Sequence, residues 1–364
     1  AGGPPTAGTG AGGQGGDGDA AEPMTPAASD EGTEVDGGAP SDAGQEADGT
    51  TPPVDGGTPS DGATTDAGDP DAGAVDEGPN VDRTNPDLHE HVLDPSVLDP
   101  AADQYIADQF AQLDTRAEPL GKLVFFLPGA NNSPGDWRNH GRKLAEMGFH
   151  VVIPHYNNAW GSACSGQGGS CNEDTRWEAL TGEAVSGVVD ISRANSAEAR
   201  VLAMLEHLTT ANPGGDWGYY LNDDSSLRDS EVIIAGISHG ASSAGLFGTR
   251  RTFWRVVMHS GGWWDVGDSP ATPISEYYGL SHTGDPQHDG HLSSWASAGL
   301  PGDPTSIDGQ SAPYGGAHQL ITSEPNDYPH CSVVVHGSSP TAQDGSFIFE
   351  PAWRHMYGVA GLLE

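Results

Sequence analysis

The stretch VIIAGISHGASSAG, residues 232–245, runs an apolar, β-branched segment into Gly236-Ile237-Ser238-His239-Gly240 and then into a row of small residues. With 53 glycines in 364 residues, a G-x-S-x-G pattern arises by chance about 0.7 times, so the pattern counts only in context. The context it needs is a buried strand before the serine, a helix after it, and a tight turn whose glycines let two backbones approach. Val232, Ile233 and Ile234 supply the strand and residues 241–246 the helix. No second G-x-S-x-G occurs. Ser238 is therefore the candidate nucleophile, while Ser242 and Ser243 fall inside the helix and point elsewhere.

Composition sets the limits around this stretch. The first 82 residues hold 18 Asp or Glu and no Lys, Arg, His, Phe, Tyr or Trp. Such a segment repels itself and has almost no apolar surface to offset the entropy of ordering, so residues 1–85 are expected to be a disordered acidic Gly/Pro/Asp-rich linker. Its DGG, DAG, TP and SDG fragments have no fixed period, and Asp66, Asp69, Asp71 and Asp76 do not have the spacing of an EF-hand loop. After this tail 34 acidic residues stand against 14 basic ones. Nucleic acid and anionic membranes are poor partners for such a surface, and high salt suits it because salt screens the repulsion.

No apolar run is long enough for a stable membrane insertion. An acidic stalk at a mature N-terminus points to a secreted or cell-surface bacterial protein whose signal peptide is absent from this chain. Cys164 and Cys171 bracket SGQGGS, a loop short enough to close as a disulfide, which leaves Cys331 as a buried thiol.

From residue 86 to 364 the composition is globular and suits one α/β domain. KLVFFLPG (122–129), FHVVIPH (149–155), EVIIAG, WRVVMHSG (254–261), SEYYGLSH (275–282) and HQLITSE (318–324) read as strands. Residues 136–147, 197–210 and the C-terminal PAWRHMYGVAGLL read as helices. Alternation of this kind predicts a mostly parallel central sheet with helices on both faces, and ligands bound beyond the carboxyl ends of the strands.

FFLPGANNSPGDW and GISHG, followed by candidate Asp and His residues in that chain order, resemble the α/β-hydrolase superfamily in its serine esterase and lipase branch. The resemblance covers about residues 120–364. It implies a Ser-His-Asp triad with Ser238 as nucleophile, Asp285 in GLSHTGDP as the acid, and Asp265 after HSGGWW as the alternative acid. For the base it implies His330 in NDYPHCS if HQLITSE is the last strand. His336 takes that place if SVVV (332–335) is a strand instead. The oxyanion hole is expected from the backbone N–H groups of His239 and Ala130, with Asn131 as the other candidate for the second donor.

The activity implied is carboxylic-ester hydrolysis through an acyl-enzyme on a small-molecule or lipid-like ester, by a monomer with no cofactor. A lipase, cutinase-like or polyester hydrolase, a serine peptidase on the same fold, and a non-catalytic binding module on a hydrolase scaffold are the alternatives. SHTGDPQHDGH places His282, Asp285, His288, Asp289 and His291 within eleven residues. Neither HExxH nor an equivalent spacing is present, so no metal is expected and a polar loop near the site is. Tyr156, Trp160, Trp263 and Trp264 are candidates either for a substrate pocket or for ordinary packing.

Overall fold

The computed structural model describes residues 78–165, 167, 170–263, 265–267 and 269–363. The expected acidic linker lies, up to residue 77, outside the described residues. Along the chain the elements are β1 (Leu88–Leu93), α1 (Pro95–Leu98), β2 (Gln109–Asp114), β3 (Leu123–Leu127), α2 (Arg138–Glu146), β4 (His150–Ile153), α3 (Cys171–Thr181) and α4 (Ala197–Ala211). Then come β5 (Val232–Ile237), α5 (His239–Arg250), β6 (Arg255–His259), β7 (Tyr277–His282), α6 (His288–Ala298), β8 (Thr305–Ser306), β9 (Gln319–Thr322), α7 (Pro329–Ser332), α8 (Glu350–Met356) and α9 (Val359–Leu362).

The nine strands form one sheet in the order β1-β2-β4-β3-β5-β6-β7-β9-β8. From β4 to β8 every pairing is parallel, whereas β2 runs antiparallel to both β1 and β4. Side chains alternate across a strand, so β5 serves two cores. Val232 and Ile234 enter one with Phe125, Val201, Leu205, Ala241 and Phe247. Ile233, Ala235 and Ile237 enter the other with Phe126, Leu144, Trp353 and Met356. Helices α3, α4, α5 and α6 thus cover one face and α2, α8 and α9 the other. This is the α/β-hydrolase architecture that the resemblance implied.

Several boundaries differ from the sequence reading. The segment starting at Asp136 opens as a 3-10 turn, Pro134–Trp137, before α2 begins at Arg138. The C-terminal helix is two helices, because Gly358 turns left-handed (φ 71°) between α8 and α9. Strand β2 carries the buried polar residues Gln109 and Gln112, and β1 holds half-buried His89, Glu90 and His91, so neither shows a clean apolar alternation and their sequence does not announce them. SVVV is not a strand: Ser332 closes α7, and Val333, Val334 and Val335 pack into the core as a turn. The chain is held to the domain from Asn80, whose N–H donates to Asp216, and Asp82, whose N–H donates to Gly214 O.

Candidate active site

Strand β5 lies near the middle of the sheet and ends in the turn that carries Ser238. Ser238 holds φ 55° and ψ −123°, a conformation that costs a non-glycine residue about 1–3 kcal/mol and persists only where its surroundings impose it. Those surroundings are tight. A Cβ on Gly236 would lie 2.4 Å from the carbonyl carbon of Gly240, and one on Gly240 would lie 2.1 Å from Leu127 O. Both glycines of the pattern are therefore required by close approach, of the turn to its own helix and of that helix to β3. Ser238 N–H donates to His259 O at 2.9 Å, which ties the turn to β6.

The loop after β3 reaches the same point, since a Cβ on Gly129 would lie 3.5 Å from Ser238 Cβ. Among the described residues neither Ala130 N–H nor His239 N–H donates a backbone hydrogen bond, whereas Asn131 N–H is engaged by Asn158 O at 3.3 Å. Of the two candidates on this loop, Ala130 is the one with a free donor. The first N–H groups of a helix have no partner within it, so the start of α5 presents His239 N–H outward.

Asp285 lies just beyond β7 and its side chain is 1% exposed; His330 lies on α7, after β9, and is 29% exposed. His330 Nδ1 is 2.7 Å from Asp285 Oδ2. A carboxylate only accepts, so Nδ1 carries the proton and Nε2 of the neutral ring is left as an acceptor. Burial pushes the Asp285 pKa up, but the hydrogen bond and charge of His330, the Gln287 N–H and the charge of His291 outweigh it and hold the group below its ordinary value. Asp285 is ionised at neutral pH. Among the described residues no hydrogen bond joins Ser238 Oγ to His330.

The alternatives sit elsewhere. His336 Nδ1 contacts Ser338 Oγ at 2.9 Å and its ring lies near Trp137 and Tyr328. Asp265 is exposed, and its backbone carbonyl accepts from Trp263 Nε1. The last strand in the chain is β9, which puts NDYPHCS in the position from which His330 follows.

Within SHTGDPQHDGH the fold separates the residues. His282 is spent on Glu324 O and Gly284 N–H. His288 Nδ1 and His291 Nδ1 share Ser281 Oγ at 2.9 and 3.1 Å. His291 also comes within 3.8 Å of Asp285 Oδ2, and one ligand atom each of Asp285, His291 and His330 lie within 4.8 Å of one another.

The aromatic candidates pack in the interior. Tyr156 is fully buried with its hydroxyl donating to Pro128 O, Trp160 is 4% exposed against the His239 ring, and Trp263 is 2% exposed. The pocket reading fails for these three because their faces are consumed by neighbours; Trp264 lies outside the described residues.

Two residues that sequence reading missed organise the site. Asn158 is buried and donates through Nδ2 to both Gly129 O and Asn132 O, at 2.8 and 2.9 Å, fixing the loop that carries Ala130. Arg176 on α3 is buried and donates to His239 O at 2.8 Å and Ser243 Oγ at 2.9 Å, with its guanidinium over Trp160. The only signal for either was position: Asn158 follows a strand, and Arg176 is the one basic residue of a segment that begins at a cysteine. Cys164 and Cys171 form a disulfide that staples the start of α3, and Cys331 is free and half-buried. Burial, with Asp285 and Asp136 nearby, pushes the Cys331 thiol up to about 11, so it is a poor nucleophile.

No protein-family model and no curated protein matches the chain. Among solved structures, esterase B from Lactobacillus rhamnosis inhibited by a C6-C4 SN3 compound is similar at 12% identity and a TM-score of 0.43, over 76% of this chain and 88% of that one. A phospholipase/carboxylesterase from Dyadobacter fermentans is similar at 13% identity and a TM-score of 0.33, over 77% and 97%. Esterase 2 from Thermogutta terrifontis, phosphorylated by paraoxon, is similar at 10% identity and a TM-score of 0.35, over 75% and 93%.

Proposed function

We propose that the protein is a carboxylic-ester hydrolase in which Ser238, His330 and Asp285 act as a triad. The observation that carries this reading is the 2.7 Å contact of His330 with a buried, ionised Asp285; these residues follow the parallel strands β9 and β7, as the strained Ser238 follows β5. A serine hydroxyl is a poor nucleophile at neutral pH, and an imidazole whose tautomer is set by a carboxylate supplies the missing base.

In the proposed cycle Ser238 Oγ attacks the ester carbonyl while its proton passes to His330 Nε2. The carbonyl oxygen becomes an oxyanion facing the N–H groups of His239 and Ala130. Collapse of this intermediate breaks the bond to the alcohol, which leaves with the proton from His330. Water then attacks the acyl-enzyme, His330 takes its proton, and the carboxylic acid is released as Ser238 is restored. Asp285 stays ionised throughout and stabilises the imidazolium. In this reading the hydrogen bond from Ser238 Oγ to His330 Nε2 forms when substrate binds, as catalytic hydrogen bonds commonly do.

The disulfide supports an oxidising, extracytoplasmic location, and among the described residues no helix is long and apolar enough to cross a membrane. We take the enzyme to act as a monomer on a small-molecule or lipid-like ester.

Fluorophosphonate labelling with peptide mass spectrometry, run beside hydrolysis of p-nitrophenyl acetate and butyrate, tests the proposal. A label on Ser238, with turnover abolished in Ser238→Ala, is the expected result. Equal rates in both proteins and no label would remove the triad.

A further inference from the structure

Asp285 is met by two imidazoles, and the triad uses only one of them. His330 Nδ1 is 2.7 Å from Oδ2, and His291 Nδ1 is 3.8 Å from the same oxygen. The three groups come from separate segments: the loop after β7, the first half of α6, and α7. Asp285 and His291 are buried, at 1% and 8% side-chain exposure, and His330 at 29% forms the open side. One ligand atom from each lies within 4.8 Å of the others. Ser281 Oγ, shared with His288, contacts His291 Nδ1 at 3.1 Å and fixes the place of the ring; an ion at Nδ1 replaces that hydrogen bond.

Two imidazoles and a carboxylate form the donor set of zinc and its neighbours; calcium and magnesium ask for oxygen ligands. With bonds of about 2.0–2.2 Å, a tetrahedral ion spaces its ligand atoms about 3.4 Å apart. The separations of 2.7 and 3.8 Å bracket that spacing, so modest ring movements admit an ion. The fourth position falls to water.

We propose that Asp285, His291 and His330 form a site for a zinc-like divalent ion, and that filling it switches ester hydrolysis off. The second half rests on His330 being the catalytic base; the first does not. On binding, the hydrogen leaves His330 Nδ1 and, through water, Nε2 takes one up, so the ring stays neutral with the ion at Nδ1 and an N–H where the basic lone pair was. His330 is then held by the metal and no longer takes a proton from Ser238. Removal of the ion restores the hydrogen bond and the activity.

The test uses the full chain stripped with EDTA and dialysed. CoCl2 is titrated with visible absorption as the readout, ZnCl2 with calorimetry, and p-nitrophenyl butyrate turnover is followed at each zinc concentration. His291→Ala removes a ligand that the acyl transfer does not use, and His291→Gln keeps the volume in case the smaller residue disturbs the fold. In the wild type, zinc should suppress turnover reversibly with EDTA, and cobalt should give the intense visible bands of a tetrahedral site. Both variants should turn over ester, lose those bands, and need at least tenfold more zinc for the same inhibition. Unchanged cobalt spectra, or inhibition of the variants at the wild-type zinc concentration, would overturn the proposal. If cobalt binding is lost in the variants while no protein hydrolyses ester, the metal site stands and the switch falls together with the hydrolase reading.

Discussion

At the scale of single residues, the choice between His330 and His336 turns on one carboxylate. Of the two, His330 touches Asp285, and His336 is occupied by its own loop. Asp285→Asn keeps the shape but offers an amide where the carboxylate set the tautomer, so kcat should fall about 10³–10⁴-fold. His330→Ala should fall comparably, and His336→Ala and Asp265→Asn should keep wild-type turnover. Steady-state kinetics on p-nitrophenyl butyrate reads all four; a His336→Ala enzyme as damaged as His330→Ala would reverse the assignment. The residues of the proposed triad could be picked out in the chain because each one follows a strand, where an α/β sheet exposes its carboxyl ends. His291 was legible only as part of a crowded polar loop. Its approach to Asp285 depends on the turn into α6, in which Gln287 N–H donates to the Asp285 side chain, and its spacing matches no known ligand motif.

Among the elements, the loop after β3 and the helix α5 each depend on support from outside. Asn158 holds the former by two hydrogen bonds to backbone carbonyls, and Arg176 holds the first turn of the latter. Asn158→Ala should loosen the Ala130 donor without touching the triad, lowering kcat by about tenfold or more, up to the 10²–10³ of a lost oxyanion donor, with little change in KM. The labelling rate at Ser238 should fall in step. A change confined to KM would place Asn158 in substrate binding instead. The disulfide acts on the same assembly, because α3 carries Arg176 and begins at Cys171. Cys164→Ser/Cys171→Ser should lower the unfolding free energy by about 2–3 kcal/mol, the value for so short a loop, measurable by urea titration with unchanged slope. An unchanged midpoint would show that packing alone holds the segment.

For the molecule as a whole, buried histidines set the response to acid. Burial pushes His150 and His291 down to about 4 and His259 to about 3, and lowers His140 and His239 well below the ordinary value of 6.5. In the unfolded chain these rings take up protons below about pH 6.5, while the folded chain excludes them until the pH is well below that. The unfolded state therefore binds more protons across that window, and stability falls as pH drops, by about 1.4 kcal/mol per unit for each such ring. Glu90 is pushed up by burial but brought down to about 2 by Arg138 and Arg142. Its contribution, present above the unfolded carboxylate value, is lost only at lower pH. Calorimetry should show Tm falling between pH 6.5 and 4.5, where the carboxylates remain ionised. A flat Tm there would mean that the rings are solvated in the native state.

What the amino-acid order determined by itself is whatever is local. Runs such as VIIAG and KLVFFL are apolar enough to be central strands anywhere, and the turn through Ser238 is announced by a few neighbouring residues. What only the tertiary structure decided is which distant groups meet. His330 against Asp285 spans 45 residues, Arg176 against His239 spans 63, and Gln112 against Glu90 joins β2 to the edge strand β1. Such contacts depend on sheet order and on how helices fold back over it, quantities set by the sum of packing over two cores. The aromatic residues show the same division. Their sequence positions place Tyr156, Trp160 and Trp263 on loops near the site, but only the packed fold shows their faces already taken by neighbours, leaving no surface for a ligand.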